Sequence, residues 1–410
     1  MNKRGIAQLQ SIAPVLRGML PLTWLFLLIE LFDELHYGIE GAVLPALRQD
    51  LNLSYAQTGL LLGLPALLGT LIEFVIMLLG DTRLRKRLIV GGGLVIVLAA
   101  LLLASAQSFP TALLAFIVIY PASGAFVSLS QATLMDLNPN REAQMMARWT
   151  LFGSIGNLIG PLLAAALFAA GLGWRWNYVY VAALALFLAL IVLPQRFPAR
   201  RQDVEAGAPS SLNELRDLLP ELWRSIKNLA LMRWFVLLDL SDLLLDVFVS
   251  YSALYFADVV GFTPAQVGLM MSALMAAGLV ANVALIPLLE RVDGRWLVRV
   301  TAIAAGVAYA AWLLAPWAWA KVVLAIGVRL LTLGWYEVLQ GEAYASLPGR
   351  SGTVMAINSV MGLLGGALVW FVGWFAEQAG LPAAMWLLLA GPLALILLLP
   401  KPRSPHQVHQ

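Results

Sequence analysis

Apolar runs long enough to cross the ~30 Å hydrocarbon layer of a bilayer as helices recur along the whole chain. Short charged or Pro/Gly-rich breaks separate them. Cutting at those breaks predicts twelve helical spans, at 20–47, 54–80, 87–107, 110–135, 146–170, 176–194, 229–257, 263–289, 297–315, 322–345, 353–376 and 381–400. Most connections are short. The exception is residues 195–228, where Leu215, Leu218, Leu219, Leu222 and Ile226 fall at helical spacing and predict an amphipathic helix at the membrane surface. This connector divides the chain into a six-helix bundle over 1–194 and a second over 229–410 that ends in a short tail.

Two spans break the apolar pattern. The first contains "IELFDELHYGIEG" (29–41), with Glu30, Asp33, Glu34, His36 and Glu40. At 100° per residue, Glu30, Asp33, Glu34, Tyr37 and Glu40 share an arc of about 120°, so one face is polar and the rest apolar. The seventh span places Asp239, Asp242, Asp246 and Ser250 on a narrower arc. Single acids also sit inside the second span (Glu73) and the tenth (Glu337 and Glu342), and the tenth carries Arg329.

Composition agrees with the pattern. The chain is 61% hydrophobic and 12% charged, with mean hydropathy +0.83, where soluble proteins carry about 25% charged residues. The expected fold class is an all-α polytopic membrane protein. A net charge of +3 gives no reason to expect nucleic acid, and the absence of cysteine rules out disulfides and thiolate metal sites. The N-terminus is basic and then apolar, like a signal sequence, but it lacks a small-residue cleavage site and is read as retained. Lys and Arg concentrate in the tails, the connector and the loops following even-numbered spans. The opposite loops hold only Arg48, Arg175 and Lys321. That asymmetry predicts both termini in the cytoplasm of a cell-membrane protein. Trp312, Trp317 and Trp319 read as an interfacial belt at the other face.

The sequence also repeats. An ungapped offset of 209 residues superposes the first six spans on the last six. Glu30 falls on Asp239, Asp33 on Asp242, Asp81 on Glu290, Gln131 on Gln340, and "SYAQTGL" (54–60) on "TPAQVGL" (263–269). Glu73 falls on the neutral Asn282. Two six-helix halves in the same orientation are the parallel-repeat plan of alternating-access carriers.

Ten interior acids face Arg329 and a neutral His36. Carboxylates so crowded cannot all stay ionised, so some carry protons near neutrality. Such a lining suits proton coupling and attracts cations. Arg329 is expected to pair with Asp246 or Glu40, because a buried guanidinium needs a carboxylate. Glu73, with no charge nearby in its own helix, reads as hydrogen-bonded structure or as an acid that reaches the cavity, the first being preferred, and it is counted among the candidate pathway residues. No constellation suggests catalysis, a metal site or a cofactor, and the chain is not expected to be an enzyme.

The loop "MLLGDTRLRKR" (77–87), its second copy "PLLERVDGRW" (287–296), "GSIGNLIGP" (153–161) and "GWRWNY" (173–178) resemble the major facilitator superfamily over essentially the whole chain. Within it, "FDELHYGIEGAVLPALRQDLNLSYAQTGLL" (32–61) is similar to the sugar-efflux and fosmidomycin-resistance permeases. The resemblance implies a cavity lined by helices 1, 4, 7 and 10. It also implies a conformational gate involving Asp81, Arg85, Lys86, Glu290, Arg291, Gly160 and Pro161. The loop departs from the family pattern at Met77, Thr82 and Leu84, and helix 4 lacks the arginine that many proton-coupled members carry near Phe116. The expected function is secondary active transport, as proton-coupled antiport that exports a cationic or amphipathic compound. Uptake of a polar solute by proton or sodium symport, lipid export and a non-transporting sensor or assembly subunit are the alternatives. The expected partners are a small-molecule substrate, protons or sodium and the lipid bilayer, with the chain acting as a monomer.

Overall fold

The computed structural model describes residues 21–80, 84–138, 142–195, 197, 229–289, 291–332, 334–346 and 351–400. The connector helix, Asp81 and Glu290 of the gate motif, and the tail with His406 and His409 lie outside these residues.

The first half contains α1 (Pro21–Asp50), α2 (Tyr55–Gly80), α3 (Arg85–Ala104), α4 (Phe109–Leu137), α5 (Glu142–Ala169) and α6 (Trp174–Val192). In the second half, α7 runs as Leu229–Asp242, a π-turn at Leu243–Val247 and Phe248–Asp258. It is followed by α8 (Pro264–Leu289) and α9 (Gly294–Leu314). Helix α10 comes in two pieces, Ala318–Leu331 and Trp335–Ala345. The last two are α11 (Ser351–Ala379) and α12 (Leu381–Leu387 with Ala390–Leu398). Each predicted span is met by a helix whose ends lie within a few residues of it. Among the described residues, nine helices are long and apolar enough to cross a membrane. Helices α1 and α7, whose acids interrupt the apolar run, are not among them.

The repeated "SYAQTGL/TPAQVGL" stretch has a physical basis in helix capping. Ser54 N–H donates to Gln57 Oε1 (3.0 Å) while Gln57 N–H donates to Ser54 Oγ (3.2 Å). Thr263 and Gln266 repeat the exchange at 2.9 and 3.4 Å. Both are capping boxes that satisfy otherwise orphaned N–H groups where α2 and α8 begin. The glycine that closes each motif brings the halves together. A side chain at Gly59 would strike Trp370 O and Gly373 on α11 at 3.1 and 3.2 Å, and one at Gly268 would strike Pro161 O on α5 at 2.8 Å. Both contacts lie toward the end of the bundle that carries the turns 51–54 and 259–263, called here the loop end. The opposite end, where α1 starts, is the terminal end.

One aromatic departs from expectation. Trp317 and Trp319 are exposed and stacked (6.1 Å between centroids), as an interfacial pair would be. Trp312, however, is fully buried, packed on Tyr255, Phe248 and Tyr309. Beneath it, Lys321 is also buried. Its Nζ donates to Trp312 O (2.8 Å), Leu313 O (3.3 Å) and Tyr255 Oη (3.1 Å). Lys321 therefore belongs to helix α10 rather than to a loop, and it caps the last carbonyls of α9 where a cation complements the helix dipole.

Candidate functional site

The polar face of α1 is held against α5 by close backbone packing. A Cβ at Gly156 would collide with Leu31 O, and one at Gly160 with Leu35 O. The space above Gly153 is filled by Glu30 Oε1 and the Glu34 side chain. Glu30 is thereby buried between α1 and α5 instead of facing an aqueous space as the sequence suggested. Glu34 accepts a hydrogen bond from Asn157 Nδ2 at 3.0 Å. Asp33 accepts one from Ser123 Oγ at 2.6 Å.

Ser123 stands at the start of a π-turn in α4, Gly124–Ser128. The bare Cα of Gly124 leaves room for the Glu73 carboxylate, which accepts from Ser128 Oγ at 2.8 Å. Glu73 of α2 is thus hydrogen-bonded to α4. It is not remote from the other acids, since it and Asp33 lie within electrostatic reach of each other. Tyr120, one turn before the π-turn, lies within reach of Glu73, Glu40, Asp33 and Asp246. Its acidic neighbours come from both halves, and the sequence reading missed it. The repeat carried the signal, because the 209-residue register pairs Tyr120 with Arg329 and Ser123 with Thr332.

The second half holds a cavity of about 340 Å³ whose wall includes Asp242, Asp246, Arg329, Thr332, Tyr336 and Glu337. It forms where α7 passes through its π-turn and α10 is broken. Gly334 takes φ +75° at that break, a conformation that favours glycine. The break in α10 and the π-turn in α4 occupy the same repeat register, so both halves interrupt the same helix at the same depth. Across the halves, Glu34 and Asp246 interact electrostatically. Asp239 and Asp246 are each within electrostatic reach of Asp242, forming a second acidic group. Among the described residues, Glu40, Asp239, Asp242, Asp246 and Glu337 accept no hydrogen bond from the protein.

The expected ion pair of Arg329 does not form with Glu40 or Asp246. Its Nη1 donates instead to Leu245 O (3.3 Å), inside the π-turn of α7, while Nε is buried without a partner. The π-turn offers the guanidinium a backbone carbonyl and leaves Asp246 to the cavity. His36 is buried beside Tyr37 and Tyr178, and its Nε2 is likewise unpartnered.

At the loop end the halves are latched. Asp258 at the end of α7 accepts from Arg48 Nη1 (2.8 Å), Gln49 Nε2 (3.2 Å) and Tyr55 Oη (2.9 Å). Glu377 of α11 accepts from Tyr55 N–H at 2.8 Å. Every hydrogen bond between halves that the structure describes lies at this end.

A sequence profile of the Major Facilitator Superfamily matches residues 27–369. The chain belongs to this superfamily. Among solved structures, it is similar to a bacterial homologue of the human lysosomal transporter Spinster in an inward-facing, unoccupied conformation. The two share 17% identity over 93% of this chain and 95% of that one, with a TM-score of 0.70. It is also similar to the nucleoside transporter NupG, with 14% identity over 92% and 97% of the chains and a TM-score of 0.72. No curated protein sequence matches. At these identities the structural likeness speaks for the fold alone, an all-α protein of two six-helix bundles; membership of the superfamily makes it a multi-pass transporter.

The superfamily's gate motif is visible only in part. At the terminal end Arg85 donates to Gly80 O (2.7 Å) and pairs with Asp136 of α4 (2.6 Å). In the second half the fork of Arg295 holds Glu342 of α10 at 2.8 and 2.7 Å. Each pair ties the start of one helix to the end of its neighbour within a half. Asp136 and Arg295 were not singled out in the sequence, and Glu342 belongs to this pair rather than to the cavity. Lys86 is half-buried near Arg85, and Arg291 is exposed. Gly160 and Pro161 pack on Leu35 and Gly38 of α1.

Proposed function

We propose that the chain is a proton-coupled secondary transporter of the cell membrane, both termini cytoplasmic, that exports a cationic or amphipathic solute by alternating access. The observation that supports this reading is the acidic lining of both halves: Asp33 and Glu34 of α1 accept from Ser123 and Asn157, and Asp242, Asp246 and Glu337 line the cavity of the second half. Glu73 and Tyr120 stand near the first group, and Asp239 near the second. An acidic lining at this depth binds protons when occluded and releases them to water, and it favours a positively charged solute. The helix-5 stretch "GSIGNLIGP", similar to the antiporter branches, supports exchange over uptake.

Asp33 and Asp242, repeat mates on α1 and α7, are the best candidates for the coupling proton. Asp33→Asn or Asp242→Asn in reconstituted vesicles should abolish accumulation driven by an imposed pH gradient while leaving solute binding and downhill exchange largely intact, since Asn keeps the shape but cannot titrate. If both variants accumulate solute like the wild type, coupling lies elsewhere, with Glu73 and Glu337 next. If the wild type responds to sodium and not to pH, the carboxylates are cation ligands.

One feature favours a narrower substrate. Arg329 faces the cavity of the second half with no carboxylate paired to it among the described residues, and its Nε is unsatisfied. A solute that joins a cationic group to an anionic or acceptor group would satisfy both the acids and Arg329.

A further inference from the structure

We propose that the outward-facing groove between α2, α3 and α4 binds one anionic phospholipid, with its phosphate on Arg87 and one acyl chain lying over Gly91. The groove has a volume of about 390 Å³ and runs from Arg87 past Gly91 to Val95, between Ile72 and Ile76 on one side and Pro121 on the other. Among the described residues, Arg87 is the only charged side chain on its wall. From Arg87 to Val95 the helix rises about 12 Å, most of the ~15 Å depth of a single leaflet.

Three further observations point to a lipid rather than to a soluble ligand. The surfaces beside the groove expose Leu71, Val75, Leu94, Leu98 and Leu114, which in a membrane-spanning bundle face hydrocarbon. Arg87 has no hydrogen bond or ion pair among the described residues, whereas Arg85, two residues earlier, is engaged by Asp136 and Gly80. Arg87 also lies in the first turn of α3, whose N-cap residue Leu84 supplies no side-chain acceptor, so the helix N-terminus adds positive potential where a phosphate would sit. Basic side chains at the mouth of an apolar cleft between membrane helices are the recognised chemistry for anionic headgroups. On its inner side the groove is floored by Ala122 and Ala125, the latter part of the π-turn that holds Glu73. An acyl chain there braces the turn from behind.

The full-length protein, purified in detergent, is offered equimolar phosphatidylglycerol and phosphatidylcholine with matched acyl chains and examined by native mass spectrometry. The wild type should retain one phosphatidylglycerol in preference. Arg87→Gln should reduce that preference about fivefold or more. Gly91→Leu should abolish retention of either lipid, because a Cβ at Gly91 meets nothing within 4 Å and the larger side chain fills the groove without disturbing the fold. Thermal shift with phosphatidylglycerol should raise the melting temperature of the wild type, and glycerol phosphate alone should not. Equal retention of both lipids by the wild type overturns the proposal. So does wild-type retention by folded Arg87→Gln and Gly91→Leu variants. Stabilisation by glycerol phosphate alone would show an anion site without lipid, and would also overturn it.

Discussion

Neutralising Asp258 should open the loop end. Its carboxylate receives Arg48, Gln49 and Tyr55 together, and the Arg48 and Asp258 side chains are 19% and 13% exposed. At 2.8 Å and an effective dielectric near 20, the gross attraction is about 6 kcal/mol. Desolvation offsets most of it. Breaking fully buried pairs costs about 3–5 kcal/mol and exposed ones about 0–1, so a net loss of ~2 kcal/mol suits this partly buried latch. The latch joins the two halves and must separate when the loop end opens, so the loss falls on the conformational equilibrium rather than on the fold. A shift of ~2 kcal/mol changes the ratio of closed to open molecules by roughly thirty-fold. Because the chain has no cysteine, spin labels can be placed at Gln107→Cys and Trp317→Cys, exposed positions at the loop end of opposite halves. Asp258→Asn should lengthen the distance between the labels, as should Arg48→Ala, and the double variant should add little to either. An unchanged distance distribution in folded Asp258→Asn protein would refute the idea that this cluster holds the loop end shut.

Other consequences follow from the same geometry. Arg329→Ala should weaken solute binding while lowering the melting temperature little, because no buried carboxylate loses a partner. A large loss of stability rescued by Asp246→Asn would restore the ion-pair reading. Lys321→Met should lower the melting temperature, since it strips the donor from Trp312 O, a buried carbonyl at the end of α9 worth about 1–3 kcal/mol when left unsatisfied, and from the part-buried Leu313 O. An unchanged melting temperature would mean that those carbonyls find another partner. Single cysteines at Ser210 and Gln407 should react with an impermeant reagent from the cytoplasmic side and one at Gln107 from outside. Labelling of Ser210→Cys from outside would reverse the assigned orientation.

The helices were legible in the sequence because hydrocarbon imposes one rule on every span: enough apolar residues to cross, with the backbone bonded to itself. The repeat was legible because matching charges, prolines and capping residues at one offset carry information that apolar composition does not. Side-chain partners were harder to read. Charge alone suggested that Arg329 must find a carboxylate, but a π-turn in α7, invisible in the apolar run "LLLDV", turns a carbonyl toward it instead. Glu30 looked like its neighbours on a helical wheel, yet the bare Gly153 of α5 opens a slot that buries it. Asp258 passed unnoticed because a latch is made by three segments far apart in sequence. Tyr120 could have been found, since its repeat partner is Arg329.

The two halves share a backbone plan but not a charge plan, and the difference bears on how a proton and a solute could use one pathway. Where the first half has Tyr120 the second has Arg329, and where it has Ser128 the second has Glu337. Glu73 on α2 meets the neutral Asn282 in the repeat, so the single acid beside the helix break has moved from α2 in one half to α10 in the other. The first half therefore surrounds Asp33 and Glu73 with hydroxyl donors, Ser123 and Ser128, which suit a carboxylate in either protonation state because a hydroxyl can donate or accept. The second half leaves Asp242, Asp246 and Glu337 without hydrogen bonds from the described residues around an open cavity and sets a permanent cation, Arg329, among them. Unsatisfied charged groups on a cavity wall call for a partner from outside the protein, whereas satisfied carboxylates beside hydroxyls need none. On the proposed proton-coupled reading, proton exchange would belong more to the α1–α4 side and solute recognition more to the α7–α10 side. Of the two repeat mates, Asp33 is on that account the stronger candidate for coupling, and Asp242→Asn should disturb solute affinity more than Asp33→Asn does. Equal effects of the two substitutions on affinity would show that the charge asymmetry does not divide the labour.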